Sequence, residues 1–242
     1  MQTLVNQENK SEKIDKRYKH LGTISVLFVS VLLISNIVST KIIDLGFFSF
    51  DGGTLIFPLS YIFGDILTEV YGFRQSRKVI WLGFICALLM SVTIILIGKL
   101  PADPNWTNQN AYDVILGLTP RLVIASLIAY FAGEFSNAII LAKLKIRTKG
   151  RWLWSRTIAS TVIGQLIDSL LFIVIAFSGI LPKELLISLI ISNYVFKLAF
   201  EIVLTPATYK VVNYLKKSEQ EDYYDINTKF NPLHIGQDNE SK

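Results

Sequence analysis

Two stretches of the chain, Leu21–Thr40 and Val79–Gly98, run for a full twenty residues without a charged side chain. A helix of about 20 apolar residues is what the hydrocarbon core of a bilayer requires, and few soluble folds tolerate two such runs. Three further runs are nearly as clean. Leu122–Ala142 is broken only by Glu134, Thr157–Pro182 only by Asp168, and Leu185–Tyr209 by Lys197 and Glu201. A sixth, Leu55–Gly72, holds Asp65 and Glu69, and its Phe57-Pro58 start places proline in a first helical turn. Only 18% of the 242 residues are charged, against about a quarter in soluble domains. The expected fold is therefore all-α: a polytopic membrane protein of six transmembrane helices.

The basic residues give this bundle a direction. Six spans put the N-terminus, the 2–3 and 4–5 loops and the C-terminus on one side, and that side carries 19 Lys and Arg. The opposite loops carry three: Lys99, Arg121 and Lys183. The positive-inside rule then places both termini in the cytoplasm. The net charge of +5 is thereby a topology signal, and no nucleic-acid partner is expected. Residues 1–19 read as a polar cytoplasmic N-terminus without a cleavable signal, 20–214 as the transmembrane domain, and 215–242 as a polar cytoplasmic tail, with the chain from about Lys210 reading as helix extension followed by loosely ordered chain. Trp152 and Trp154 fit an interfacial belt, and Leu45–Gly53 fits a short hairpin or re-entrant turn on the outer side. One cysteine and two histidines (Cys86, His20, His234) argue against a disulfide framework or a zinc site.

Seven ionisable residues lie in or at the ends of the spans: Lys41, Asp65, Glu69, Glu134, Asp168, Lys197 and Glu201. A charge at a helix centre costs about 2.5–3.5 kcal/mol or more unless it is paired or faces a polar cavity. Asp65 and Glu69, Gln165 and Asp168, and Lys197 and Glu201 are three or four apart, so each pair shares a helix face. This convergence predicts one enclosed polar space. Two readings stand beside each other. Lys197 and Glu201 neutralise one another within a helix, and Lys41 and Glu69 snorkel to the interfaces, or they line the space. Asp65, Glu134 and Asp168, deeper and without a basic neighbour in sequence, favour function. Asn36, Gln165 and Asn193 serve as interhelical glue unless they face the same cavity. Neither histidine lies in a span, which disfavours a serine-type hydrolase, and no phosphate loop is present. An Asp65/Asp168 acid dyad, a membrane aspartyl hydrolase, is the minor enzymatic alternative. The polar space otherwise reads as a binding site for a small solute that crosses, with no cofactor.

The segments Ser35–Lys41, Phe57–Tyr61, Asp65–Gly72, Gly133–Asn137, Lys143–Lys145, Trp154–Thr161, Gly164–Ser169 and Tyr194–Lys197, with Glu201, Pro206 and Asn231-Pro232, resemble the YhhQ-type queuosine-precursor transporters, also described as vitamin-uptake-type transporters. The resemblance spans about Tyr18 to Pro232. It implies a multi-pass protein of the inner (plasma) membrane that imports 7-deazaguanine bases: 7-cyano-7-deazaguanine, 7-aminomethyl-7-deazaguanine or queuine. Carboxylates suit the N–H donors of such a base, and rings such as Phe57, Tyr61, Phe172 or Tyr194 suit its flat face. Asn36, Gln165 or Lys197 would donate to its carbonyl. The expected substrate-binding set is Asn36, Lys41, Tyr61, Asp65, Glu69, Glu134, Gln165, Asp168, Asn193, Lys197 and Glu201. The partners implied are the deazapurine base, the lipid bilayer and, as an option, a second copy in a homo-oligomer. The alternative in the same class is the substrate-binding subunit of an energy-coupling-factor transporter, which would need a separate ATPase.

Overall fold

The computed structural model describes residues 18–39, 41–44, 49–117, 120–179, 182–226, 228 and 230–233. Most of the expected N-terminal segment, the tip of the expected Leu45–Gly53 hairpin and the tail from His234 lie outside these residues. Seven helices are described: α1 (Leu21–Val38), α2 (Phe57–Tyr71), α3 (Phe73–Gly98), α4 (Gln109–Ile115), α5 (Pro120–Arg147), α6 (Leu153–Phe177) and α7 (Lys183–Glu219). Two three-residue strands, β1 (Ile42–Asp44) and β2 (Ser49–Asp51), pair antiparallel between α1 and α2, followed by a 3-10 turn over Gly52–Leu55. Ile42 faces Asp51 and Asp44 faces Ser49, a hairpin in the region where the sequence suggested one.

Five of these helices, α1, α3, α5, α6 and α7, are long and apolar enough to cross a membrane. Their outward faces carry large apolar side chains, among them Val26, Leu89, Leu96 and Val203, each at least 60% exposed. Such continuous apolar exposure is untenable in water and ordinary against lipid. Helix α2 differs. Its 15 residues rise about 22 Å, short of the ~30 Å core, and from Ser60 to Tyr71 all but Phe63 are buried. It is the central post, in contact with α1, α3, α5 and α7.

Helices α5 and α6 form the closest pair in the bundle. A Cβ on Gly133 would lie 2.8 Å from Asp168 Cβ and 2.9 Å from the Gly164 carbonyl oxygen. A Cβ on Gly164 would lie 2.9 Å from Asn137 Cβ. Small residues at a crossing let backbones approach where lipid offers no hydrophobic drive for association.

One end of the bundle collects the start of α1, the α2–α3 and α5–α6 connections and the end of α7. The described residues beyond α7 pack back onto this end. Asp225 accepts from the first amide of α3, Phe73 N–H, at 2.9 and 3.1 Å, and Tyr223 N–H donates to the Val70 carbonyl at 3.4 Å. Arg77 reaches the Asn231 carbonyl at 2.9 Å and Trp81 Nε1 the Pro232 carbonyl at 2.8 Å. Gly72, at φ +82°, turns α2 into α3 beneath the Tyr223 ring, which leaves no space for a side chain. The expected helix extension is present, since α7 runs to Glu219, and in the described residues after it the expected looseness gives way to bonds with open helix-end amides and to the Arg77 and Trp81 donors.

Gly133→Ala should lower stability by about 1–3 kcal/mol through overpacking, whereas Gly22→Ala, with nothing within 4 Å, should be silent. Thermal transitions of the two variants in detergent would decide this; equal transitions would remove the close crossing from the account.

Candidate functional site

The polar side chains fall into layers down the bundle axis. Helix α5 shows them in order, as Ser126, Tyr130, Glu134, Asn137 and Lys145 succeed one another at helical spacing. The outermost layer ties helix ends. Asn36 donates to the Leu32 carbonyl at 2.9 Å and accepts from the Ser126 hydroxyl at 3.2 Å, and Asn193 accepts from Thr54 at 3.4 Å. Lys41 is exposed at the hairpin, beside an open apolar groove of about 380 Å³, apart from the inner layers.

Next comes an aromatic and charged layer. Lys197 Nζ bonds Asp168 at 2.7 Å and lies 4.7 Å from the centre of the Phe57 ring. Phe57 packs on Tyr61 and edge-on to Tyr130, with centroids at 5.8 and 6.2 Å. The fully buried Tyr61 hydroxyl reaches the Gly164 carbonyl at 3.5 Å. Phe172 and Tyr194, the other expected rings, are half-buried on α6 and α7.

The third layer is the most acidic. Asp65 accepts from Asn137 Nδ2 at 2.7 Å, and Glu201 accepts from the Thr161 hydroxyl. Gln165 adjoins Glu201. Glu134 stands between them, 0% exposed, close enough to feel the charges of Asp65, Asp168 and Glu201. Its carboxylate presses on Gly64, where any Cβ would collide with it. Neither Glu134 oxygen has a hydrogen-bond partner among the described residues, nor does the buried Tyr130 hydroxyl. Asp65, Glu134, Gln165, Asp168, Lys197 and Glu201 are all at most 8% exposed.

The last layer, at the end of the bundle where α7 finishes, is a closed ion cluster. Glu69 Oε1 accepts from Arg156 and Lys216, both at 2.7 Å, with Lys145 at 3.7 Å. Lys145, 1% exposed, spends its three donors on the Glu69 carbonyl (2.5 Å), the Tyr223 carbonyl (2.7 Å) and Asp222 (2.6 Å). Burial works to raise the Asp222 carboxyl, but hydrogen bonds from Lys145 and Lys216 outweigh it and hold it below its ordinary value. Glu69 thus pins four helices and the tail rather than snorkelling alone.

Tyr61, Asp65, Glu134, Gln165, Asp168, Lys197 and Glu201 are therefore brought together, while Asn36, Asn193 and Lys41 lie toward the hairpin end and Glu69 toward the basic end. Tyr130, Asn137, Thr161, Lys145, Arg156 and Lys216 also belong to these layers and are not in the expected binding set, although Asn137, Lys145, Arg156 and Thr161 lie in the segments that carry the family resemblance. Periodicity carries a signal for some: Glu134, Ala138, Leu141 and Lys145 fall on one buried α5 face, as do Arg156, Ser160, Gly164 and Asp168 on α6.

The within-helix pairing of Lys197 with Glu201 gives way to a pairing across helices, because Asp168 reaches the ammonium directly. Lys197→Met alone should destabilise by about 3–5 kcal/mol, by stranding Asp168. Adding Asp168→Asn should recover membrane abundance, and adding Glu201→Gln should not. Equal recovery by the two doubles would return Lys197 to Glu201.

The comparisons with known proteins bear on a bundle of this kind. A family model described as "Putative vitamin uptake transporter" matches residues 51–211, which include Tyr61, Asp65, Glu69, Glu134, Gln165, Asp168, Lys197 and Glu201. A "Probable queuosine precursor transporter" of Bacillus subtilis is 28% identical over 209 residues, 84% of this chain and 90% of that protein. A "Queuosine precursor transporter" of Escherichia coli is 28% identical over 216 residues, 88% of this chain and 95% of that protein. A third relative, from Haemophilus influenzae, is 28% identical over 66% of this chain. No solved structure matches. With most of its length under the family model and five apolar helices around a charged interior, the chain belongs to this family: it is a multi-pass transporter of the cell membrane, not an enzyme.

Proposed function

We propose that the protein imports queuosine precursors, 7-deazaguanine bases such as 7-cyano-7-deazaguanine, 7-aminomethyl-7-deazaguanine or queuine, and binds them in the two middle layers of the bundle. The observation that carries this reading is the buried Glu134 carboxyl, without a hydrogen-bond partner among the described residues, one layer from the Phe57–Tyr61 ring pair and Lys197. A guanine-like base carries N–H donors, a carbonyl and a flat aromatic face. Glu134 and Asp65 offer acceptors, Gln165 and Lys197 offer donors, and Phe57 and Tyr61 offer stacking faces. The names of the Bacillus subtilis and Escherichia coli relatives support the substrate class. With Tyr61 and the polar side chains of the site at most 8% exposed, the base enters when helices part. Asn36, Asn193 and Lys41 then belong to the entry side and Glu69 to the closed exit.

Six crossings with both termini in the cytoplasm complete the reading, with α2 as the short second span. The Glu219 carboxylate accepts from the backbone amides of Lys19 and His20, at 2.9 and 2.7 Å, so α1 begins where α7 ends. The basic residues gather at that same end, which the positive-inside rule makes cytoplasmic. Reporters fused at Asp103 or Lys183 should therefore read external, and a cytoplasmic signal from either would break the six-span topology.

The deciding measurement is uptake of labelled deazaguanine bases into cells lacking queuosine synthesis. Expression of the chain alone should confer uptake. Asp168→Asn, at matched membrane abundance, should reduce it at least tenfold, because Lys197 loses its anchor beside the ring stack. Uptake that requires a co-expressed ATPase would favour the energy-coupling-factor arrangement instead.

A further inference from the structure

The middle layers hold four carboxylates, Asp65, Glu134, Asp168 and Glu201, and one cation, Lys197. Three of the four have a donor suited to an ionised group. Asp168 has Lys197, Asp65 has Asn137 and Glu201 has Thr161. Glu134 has none, and its surroundings add no compensating charge. Helix α2 presents Tyr61, Asp65 and the bare backbone at Gly64; α5 itself presents Tyr130; α6 presents Asp168; α7 presents Glu201, with Lys197 committed to Asp168. A fully buried carboxylate among three other acidic groups, with no donor to either oxygen, is not stable as an anion in a medium this poor in water.

We propose that Glu134 is the proton carrier of this transporter, and that one proton crosses with each base. The inference rests on the reading of the site as a deazaguanine site. A protonated carboxyl group is a donor and an acceptor side by side, and so is the lactam edge of a guanine-like base. The Glu134 O–H donates to the base carbonyl while the ring N–H donates to the Glu134 C=O, so on this edge of the base both hydrogen bonds form only when the proton is in place. The proton enters Glu134 from the outer aqueous phase before or with the base. When the Glu69 cluster opens and the base leaves, water reaches the vacated carboxyl, which ionises and releases the proton to the cytoplasm. No bond beyond that O–H is made or broken, and the cycle nets one proton and one base inward.

The test uses the full chain in liposomes with labelled 7-cyano-7-deazaguanine as the probe. At one proton per base, an outside one pH unit more acidic should hold the base inside about tenfold above the outside, with the membrane potential clamped at zero. Base addition should also alkalinise a weakly buffered exterior in a one-to-one ratio. Glu134→Gln, which keeps a donor and an acceptor but cannot ionise, should lose both signals while still exchanging labelled for unlabelled base at a reduced rate. Wild-type exchange without gradient-driven accumulation would overturn the coupling and leave the transporter reading standing. Gradient-driven accumulation that survives in Glu134→Gln would place the proton on another group. No exchange of any deazaguanine base by the wild type would remove the substrate reading on which the proposal stands. Should Glu134→Gln fail to fold, the wild-type proton-to-base ratio decides: one supports the proposal, and zero ends it.

Discussion

A charge taken out of water must find a partner within the protein, and Glu69 finds three. Arg156 from α6, Lys216 from α7 and Lys145 from α5 converge on one carboxylate of α2 that is fully buried. Removing the shared Glu69 carboxylate would strand the buried cations around it, at a cost of about 3–5 kcal/mol. The cluster therefore fixes where four helices end relative to one another. The tail is drawn into the same arrangement, since Asp222 bridges Lys145 and Lys216 and the Tyr223 carbonyl takes the third lysine donor. Everything nearer the hairpin is positioned from this end.

The middle layers obey the same rule incompletely. A saturated network rigidifies, while an unsaturated one is costly and persists only where something selects it. At the basic end nearly every donor and acceptor around Glu69 is used, apart from Glu69 Oε2 and Arg156 Nε. Three or four turns along α5 and α6, the Glu134, Tyr130 and Ser169 side chains go without hydrogen-bond partners among the described residues. The contrast separates a structural cluster from a binding one by bonding alone, although both consist of buried acidic and basic residues on the same helices. Hydropathy does not distinguish them.

Much of this was legible in the residues themselves. The apolar runs located α1, α3, α5, α6 and α7, and the intramembrane carboxylates pointed to one interior. What escaped was partnership across helices. Lys197 and Glu201 are one turn apart, so spacing suggested a pair, but the close α6–α7 packing offers Asp168 to the ammonium. Lys145 and Arg156 counted as loop charges because they flank a basic connection; both are 1% exposed, since the α5–α6 turn folds back over Glu69. The chain after the extended α7 reads as loosely ordered from its polarity, yet Tyr223 and Asp225 supply the partners that the end of α2 and the start of α3 lack. In each case the missing information was a contact between residues far apart in sequence.

The small residues connect the packing of the bundle to its chemistry. Gly133 and Gly164 bring α5 and α6 together, which sets Asn137 against Asp65 and the Tyr61 hydroxyl against α6. Glu134 follows Gly133 directly and is turned toward α2, where only Gly64 leaves space for its carboxyl. A bulkier residue at any of the three would push the helices apart and admit water to Glu134. With water as a partner, that carboxyl would no longer need a ligand to satisfy it. The tight crossing that stabilises the bundle is thus also what keeps Glu134 dry, and its hydrogen-bonding capacity is left for the solute.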